Sequence, residues 1–248
     1  MRLLRSVGAM AAVFLLAFSL SLYSGQMCTT PQNLLIPEGG IATDQGPRSA
    51  EEFAADLADA VDRLLSSPER AVEVVGAIVN EAVLERLEQA AELGSVVHPS
   101  ARIEHPQYPD AVVRTPLIVR LDAEADQKAY TREWFGPIAF VISTRDTHHS
   151  LAVFRETVRT HGALTATVHS TSADVLEAAR LAALDAGVHL AENLTGGVFV
   201  NLSAAFSDFH GSSANPAASA TLTDPAFVTT RFAILQTRRP APAEEQAR

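Results

Sequence analysis

Cys28 is the only cysteine in the chain and a candidate nucleophile. It lies in Ser24-Gly25-Gln26-Met27-Cys28-Thr29-Thr30, where the neighbours are small or polar. Gly25 lets the backbone come close to a ligand. The position falls between an apolar helix-like run and a strand-like run, where loops display reactive groups. A thiolate attacks carbonyls well at neutral pH once its pKa is lowered. The residue also fits a buried, inert thiol, and its neighbours alone leave both readings open. A lone thiol makes no intramolecular disulfide and no cysteine-rich zinc site.

A second cluster is Glu133-Trp134-Phe135-Gly136-Pro137, just ahead of an apolar run. Gly-Pro sets a rigid turn there. Glu133 and Phe135, two residues apart, suit a ribose: the carboxylate accepts hydroxyl hydrogen bonds and the ring packs on a base. An exposed acid beside a core phenyl ring reads equally well from this segment alone. His148 and His149 are adjacent, and adjacent residues do not share a helix face, so they read as surface. The other histidines fall at no metal-ligand spacing, and no metal is expected. Gly39-Gly40 and Gly196-Gly197 lack the spacing of a phosphate-binding loop.

These residues need elements to hold them. Residues 33–37 form a short apolar run bounded by proline and read as a strand, and 38–48 reads as a loop. Ser49 and Glu52 make a capping box, followed by Phe53, Leu57, Val61 and Leu64 at helical spacing. A second helix opens near Pro68 and carries its apolar face through Val72, Val75, Val79 and Val83 until Gly94. Residues 98–109 hold three prolines and no periodicity, so they read as loop. Strands follow at 115–121, 138–143 and 163–169, and helices at 147–160 and 172–185, the last closed by Gly187. Residues 198–202 read as a buried strand, 203–220 as an irregular loop, and 227–237 as a late strand. The alternating order predicts an α/β fold, a mostly parallel sheet flanked by helices.

Composition narrows the function classes. The chain has 248 residues, 47% hydrophobic and 19% charged, which is globular and excludes disordered or collagen-like chains. This length makes one or two domains and buries roughly three quarters of the unfolded surface, with no need of metal or disulfide staples. Lys and Arg number 19 against 29 Asp and Glu, a net charge of −10. No basic patch is visible, which sets aside nucleic acid as a partner. Acid-rich stretches between Glu51 and Glu92 read as solvated helix faces. At the start, Arg2 and Arg5 precede an uncharged stretch at 6–24. It fits a secretory signal, a minimal bilayer span or a buried core helix.

Together the two clusters resemble a known family. Gly25-Gln26-Met27-Cys28 resembles the G-Q-x-C segment around the catalytic cysteine of the aldehyde dehydrogenase superfamily. Glu133-Trp134-Phe135-Gly136-Pro137 resembles its E-x-F-G-P segment, in the family's order and at its gap. Residues 193–201 look like the later segment ending in G-x-V-x-V-N. Residues 20–33 are most similar to the phenylacetic acid degradation branch, the PaaN-like proteins. The resemblance covers residues 17–238.

The resemblance implies a catalytic-domain fold with the dinucleotide-binding domain largely missing. It divides the chain into an apolar helix at 1–24, the catalytic-domain part at 25–239 and a disordered tail at 240–248. Cys28 is then the nucleophile on a small aldehyde, and its backbone N–H helps hold the oxyanion. NAD or NADP is the implied acceptor, with Glu133 on the ribose of its nicotinamide half and Phe135 beside the ring. The late strand resembles the family's C-terminal pairing strand, which implies a homo-oligomer. The family's general-base glutamate and second oxyanion donor lie well upstream of the cysteine, and residues 1–27 hold no counterpart. Weak activity alone is therefore expected, with a non-catalytic interaction protein on the same fold as the rival. The resemblance also favours a core helix at 17–23 and a cytoplasmic protein with membrane contact unlikely. Export or anchoring through 1–24 is the alternative.

Overall fold

An unbroken apolar helix has no polar face to give to water, so it must be covered. Helix α1 (Ala9–Ser21) is of this kind, and it packs against α2 (Ala50–Leu64). Val13, Leu15, Ala17 and Leu20 are buried along it. The described part of the apolar run thus forms a helix with much of its surface covered by the core. No helix among the described residues is long and apolar enough to cross a membrane. The computed structural model describes residues 9–43, 46–194 and 235–240. The chain divides into a unit spanning Gly8–Ser150 and another built mainly on Leu151–Arg248.

In the first unit, β1 (Asn33–Pro37) follows the Cys28 loop. The 38–48 stretch, expected as loop, holds a hairpin of β2 (Ile41–Thr43) and β3 (Gly46–Arg48). Strands this short show no alternation for the sequence to display. Helix α2 starts on the predicted capping box: Ser49 Oγ accepts from Glu52 N–H at 3.1 Å, and Glu52 Oε2 from Ser49 N–H at 2.8 Å. Phe53, Leu57 and Val61 are buried on its inner face.

The next helix is corrected. It is two helices, α3 (Pro68–Val74) and α4 (Glu81–Ala91), separated by extended chain from Val75. The valine spacing continues past the break, yet Val79 is 89% exposed. Ile78 N–H donates to Val112 C=O at 2.8 Å, and Asn80 Oδ1 caps α4 through Ala82 N–H at 3.0 Å. Tertiary bonding and a new cap override the local pattern. Strand β4 (Ser95–His98) follows, then a second hairpin, β5 (Arg102–Ile103) with β6 (Val113–Arg114), of which β5 lies inside the 98–109 stretch expected as loop.

Strand β7 (Leu117–Asp122), the short helix α5 (Gln127–Tyr130) and β8 (Ile138–Thr144) complete the unit. The sheet order is β1-β8-β7-β4, with β1 and β7 parallel to β8 and β4 antiparallel at one edge. All of β8 except Ser143 is buried, as its continuous β-branched and aromatic run requires. The apolar faces of α1, α2, β1 and β8 close on one core that includes Leu20, Leu57, Ile36 and Val141.

The second unit takes most of α6 (Thr147–His161), then β9 (Ala166–Val168), α7 (Ala173–Ala186), β10 (Leu190–Glu192) and β11 (Thr237–Arg238). Its three described strands are parallel in the order β11-β10-β9. Gly187 ends α7 in the left-handed conformation, as its position predicts. Strand β10 is an element the periodicity does not announce. The buried Glu192 carboxylate at its end takes both arms of Arg180, at 2.8 and 2.5 Å. The strand expected at 198–202, the loop at 203–220 and the start of the late strand lie outside the described residues, as does the tail from 241. The architecture is α/β with mostly parallel pairing, as the element order predicts.

Candidate active site

Parallel pairing brings the two sequence clusters together. Strands β1 and β8 are neighbours with Asn33 opposite Phe140. Both run the same way, so the segments leading into them emerge at the same end of the sheet. One of these segments carries Cys28 and the other carries Glu133 and Phe135.

The Cys28 segment begins with a sharp reversal after α1. Tyr23, Ser24 and Gly25 have φ of 52°, 53° and 62°, three consecutive left-handed residues. Non-glycine residues there cost roughly 1–2 kcal/mol each, so the neighbours must hold them. Ser24 Oγ donates to Gly76 C=O at 2.7 Å, and Gln26 Nε2 donates to Ala77 C=O at 3.1 Å and to Tyr23 C=O at 3.0 Å. The Gly76 and Ala77 carbonyls come from the extended chain between α3 and α4. Gly25 lies directly on the other segment: a Cβ there would fall 2.7 Å from the Gly136 carbonyl carbon and 2.8 Å from Pro137 Cα. Glycine is therefore required by both conformation and contact. Thr30 N–H closes a turn onto Met27 C=O at 3.0 Å, and Cys28 is exposed on that turn. The inert-thiol reading requires a buried residue.

The Glu133 segment is held by side chains. Trp134 is buried, its Nε1–H donates to Ala129 C=O at 2.7 Å, and its ring meets Phe140 edge-on at 6.1 Å. The Arg132 guanidinium stacks 4.0 Å above the same ring. Arg86 Nε, from α4, donates to Phe135 C=O at 3.0 Å. Gly136, at φ 141°, sits where a Cβ would come within 2.8 Å of Val83 Cγ1. Pro137 C=O then accepts from Leu117 N–H at 2.8 Å and starts the β7–β8 ladder. With Trp134 pinned inward, Glu133 stands exposed and Phe135 is half-buried.

Gln32 and Asn33 join the two segments. Gln32 Oε1 accepts from Trp134 N–H at 2.7 Å, and its Nε2 donates to Arg132 C=O at 2.9 Å. Asn33 Nδ2 donates to Tyr130 C=O at 2.9 Å. These supports, with Ser24, Gln26 and Arg86, have no signature in the sequence beyond two amides placed just before an apolar strand.

An exposed thiol on a glycine-supported turn can attack a carbonyl carbon. The Glu133 carboxylate, exposed on a segment fixed at both flanks, suits vicinal hydroxyls such as those of a ribose, and the Phe135 ring offers an apolar flank beside it. The paired histidines sit at the start of α6, where Asp146 Oδ1 accepts from His149 N–H at 2.7 Å. That bond holds the Asp146 carboxyl below the usual carboxylate range. No group of three His, Cys, Asp or Glu among the described residues could hold a metal ion.

Residues 4–202 match the model of the aldehyde dehydrogenase family. A solved structure of an NAD-dependent aldehyde dehydrogenase from Burkholderia multivorans is 53% identical, with a TM-score of 0.83. The match covers 92% of this chain and 40% of that one, so the chain spans less than half the length of that relative. A 1-pyrroline-5-carboxylate dehydrogenase is 20% identical over 77% of this chain and 34% of its own, with a TM-score of 0.52. HpcC from Thermus thermophilus is 16% identical over 78% of this chain and 36% of its own, also at 0.52. These last two share the fold. No curated protein matches the chain in sequence.

Proposed function

The chain belongs to the aldehyde dehydrogenase family, and we propose that it carries the nucleophile and part of the nicotinamide side of an aldehyde-oxidising site. The observation behind this reading is the parallel β1–β8 pair, which presents Cys28 and Glu133 from adjacent segments. Cys28 Sγ attacks the aldehyde carbon and makes a thiohemiacetal, while the Cys28 peptide N–H holds the oxyanion. NAD or NADP, when bound, supplies the hydride acceptor. Glu133 accepts hydroxyl hydrogen bonds from the ribose, and Phe135 packs beside the nicotinamide. Oxidation leaves a thioester on Sγ, which water hydrolyses to the carboxylic acid.

Iodoacetamide tests this selectively, because the chain has one cysteine. Alkylation is expected to abolish NAD(P)-dependent aldehyde oxidation, and undiminished oxidation would refute the mechanism.

The same reading extends to phenylacetate and other aromatic acid catabolism, supported by the run Leu20-Ser21-Leu22-Tyr23-Ser24-Gly25-Gln26-Met27-Cys28-Thr29-Thr30-Pro31-Gln32-Asn33. A higher kcat/KM for aldehydes bearing a phenyl ring than for aliphatic ones is expected, and the reverse order counts against this branch. Self-association belongs to the reading too. Strand β11 lies at the edge of its sheet among the described residues, and such an edge can pair with a second copy. A monomer on a native sizing column overturns that part. A cytoplasmic setting is supported by the burial of α1 against α2, and cleavage near Ser21–Ser24 in the mature chain would contradict it.

A further inference from the structure

We propose that Gln32 is a positioning residue for Glu133, setting the direction of its carboxylate without touching the ligand. The proposal rests on the reading of Glu133 as the acceptor of ribose hydroxyls. Residues 131–136 run outside any strand, so their peptide groups have no ladder to fix them. One side-chain amide takes over that task. Gln32 Oε1 accepts from the N–H of the residue after Glu133, and Gln32 Nε2 donates to the C=O of the residue before it. A primary amide presents acceptor and donor side by side in one plane, much as a neighbouring strand would.

The amide is itself anchored. Gln32 C=O accepts from Phe140 N–H at 2.8 Å, which locks its backbone to β8, and its Nε2 also reaches Asn33 Oδ1 at 3.2 Å. The peptides at 132 and 134 are thus held from the β1 side while Trp134 is held from the core. With both flanks fixed, the Cα–Cβ bond of Glu133 has one direction. Fixing an acceptor before binding removes the ordering cost that a mobile segment would add at the moment of binding. Because Gln32 also ends the loop that carries Cys28, it sets the acid relative to the nucleophile's own segment.

The experiment measures dissociation constants of the 248-residue chain for nicotinamide mononucleotide and NAD by saturation-transfer NMR. The variants are Gln32→Met, Gln32→Glu, Glu133→Gln and the Gln32→Met/Glu133→Gln double. Met keeps the length and loses both bonds. Glu keeps the acceptor for Trp134 N–H and loses the donor to Arg132. Glu133→Gln is expected to weaken both ligands about five- to tenfold, and Gln32→Met to a similar extent. The double variant should be scarcely weaker than either single one, since both remove the same contact. Gln32→Glu should fall between wild type and Gln32→Met, and it keeps the test available if Gln32→Met fails to fold. A merely structural Gln32 would lower the melting temperature and leave the dissociation constants unchanged, or would add to Glu133→Gln in full. Either result overturns the positioning role and leaves Glu133 standing. If Glu133→Gln changes nothing, the ribose reading falls, and this proposal with it.

Discussion

Three consecutive residues ahead of Cys28 sit at positive φ, whereas 131–137 reaches positive φ only at Gly136. The Cys28 segment is a strained backbone held by carbonyls it borrows from the chain between α3 and α4. The Glu133 segment is an unstrained backbone held by a buried indole and two side chains from elsewhere, Gln32 and Arg86. Strain at a nucleophile holds it in one conformation at the expense of stability. On the proposed reading Glu133 needs only a fixed direction, and side-chain anchors supply it. The two segments should therefore fail differently: the first through its backbone, the second through its side chains.

The largest effect is expected at Trp134. Trp134→Ala removes the anchor of the second segment and should destabilise the fold by about 3–5 kcal/mol, read from denaturant unfolding. A loss under about 1 kcal/mol would mean that the segment is not held by its indole. Gly25→Ala comes next. It places a Cβ at φ 62° against Pro137, at a cost of at least about 1–2 kcal/mol. It should also change the rate at which iodoacetamide alkylates Cys28, an effect that Trp134→Phe should not produce. Ser24→Ala removes the bond to Gly76 C=O and should cost about 1 kcal/mol. If it also leaves the alkylation rate untouched, the borrowed carbonyls do not shape the nucleophile's turn.

The smallest effect lies outside both segments. The Ser49 N–H and hydroxyl hold the Glu52 carboxyl below the usual carboxylate range. Folded chains then bind fewer protons than unfolded ones in that window. The stability this adds is present above the unfolded value and lost as the pH falls through the folded one. Glu52→Gln should flatten part of the acid-side decline in unfolding midpoint while leaving Cys28 alkylation unchanged. An unaltered pH profile would show that the capping box contributes nothing through its charge.

Much of the frame is legible in the residues. Ser49 and Glu52 announce α2 through a local bond that needs no tertiary context. The unbroken apolar run of β8 announces a strand covered on both faces. The break at Val75 is hidden because Val72, Val75, Val79 and Val83 keep helical spacing across it. What decides that stretch is distant: Val112 C=O draws Ile78 N–H, and the freed chain turns Gly76 and Ala77 toward Ser24 and Gln26. The stretch whose local pattern misleads is the one that supports the Cys28 turn, since only tertiary partners explain the conformation there. Cys28, Glu133 and Phe135 are proposed from residue type and from resemblance. Gln32 is not, because an amide that bonds a peptide a hundred positions away leaves no periodicity behind.

The central claim is that the sulfur of Cys28 carries the acyl group. The most direct measurement is acid quench of the chain during reaction with NAD and a phenyl-bearing aldehyde, followed by peptide mass mapping. The expected result is an acyl mass on the peptide containing Cys28, absent without NAD and absent from Cys28→Ser. Carboxylic acid formed while Cys28 stays unmodified throughout, or an acyl group found on another residue, would contradict it.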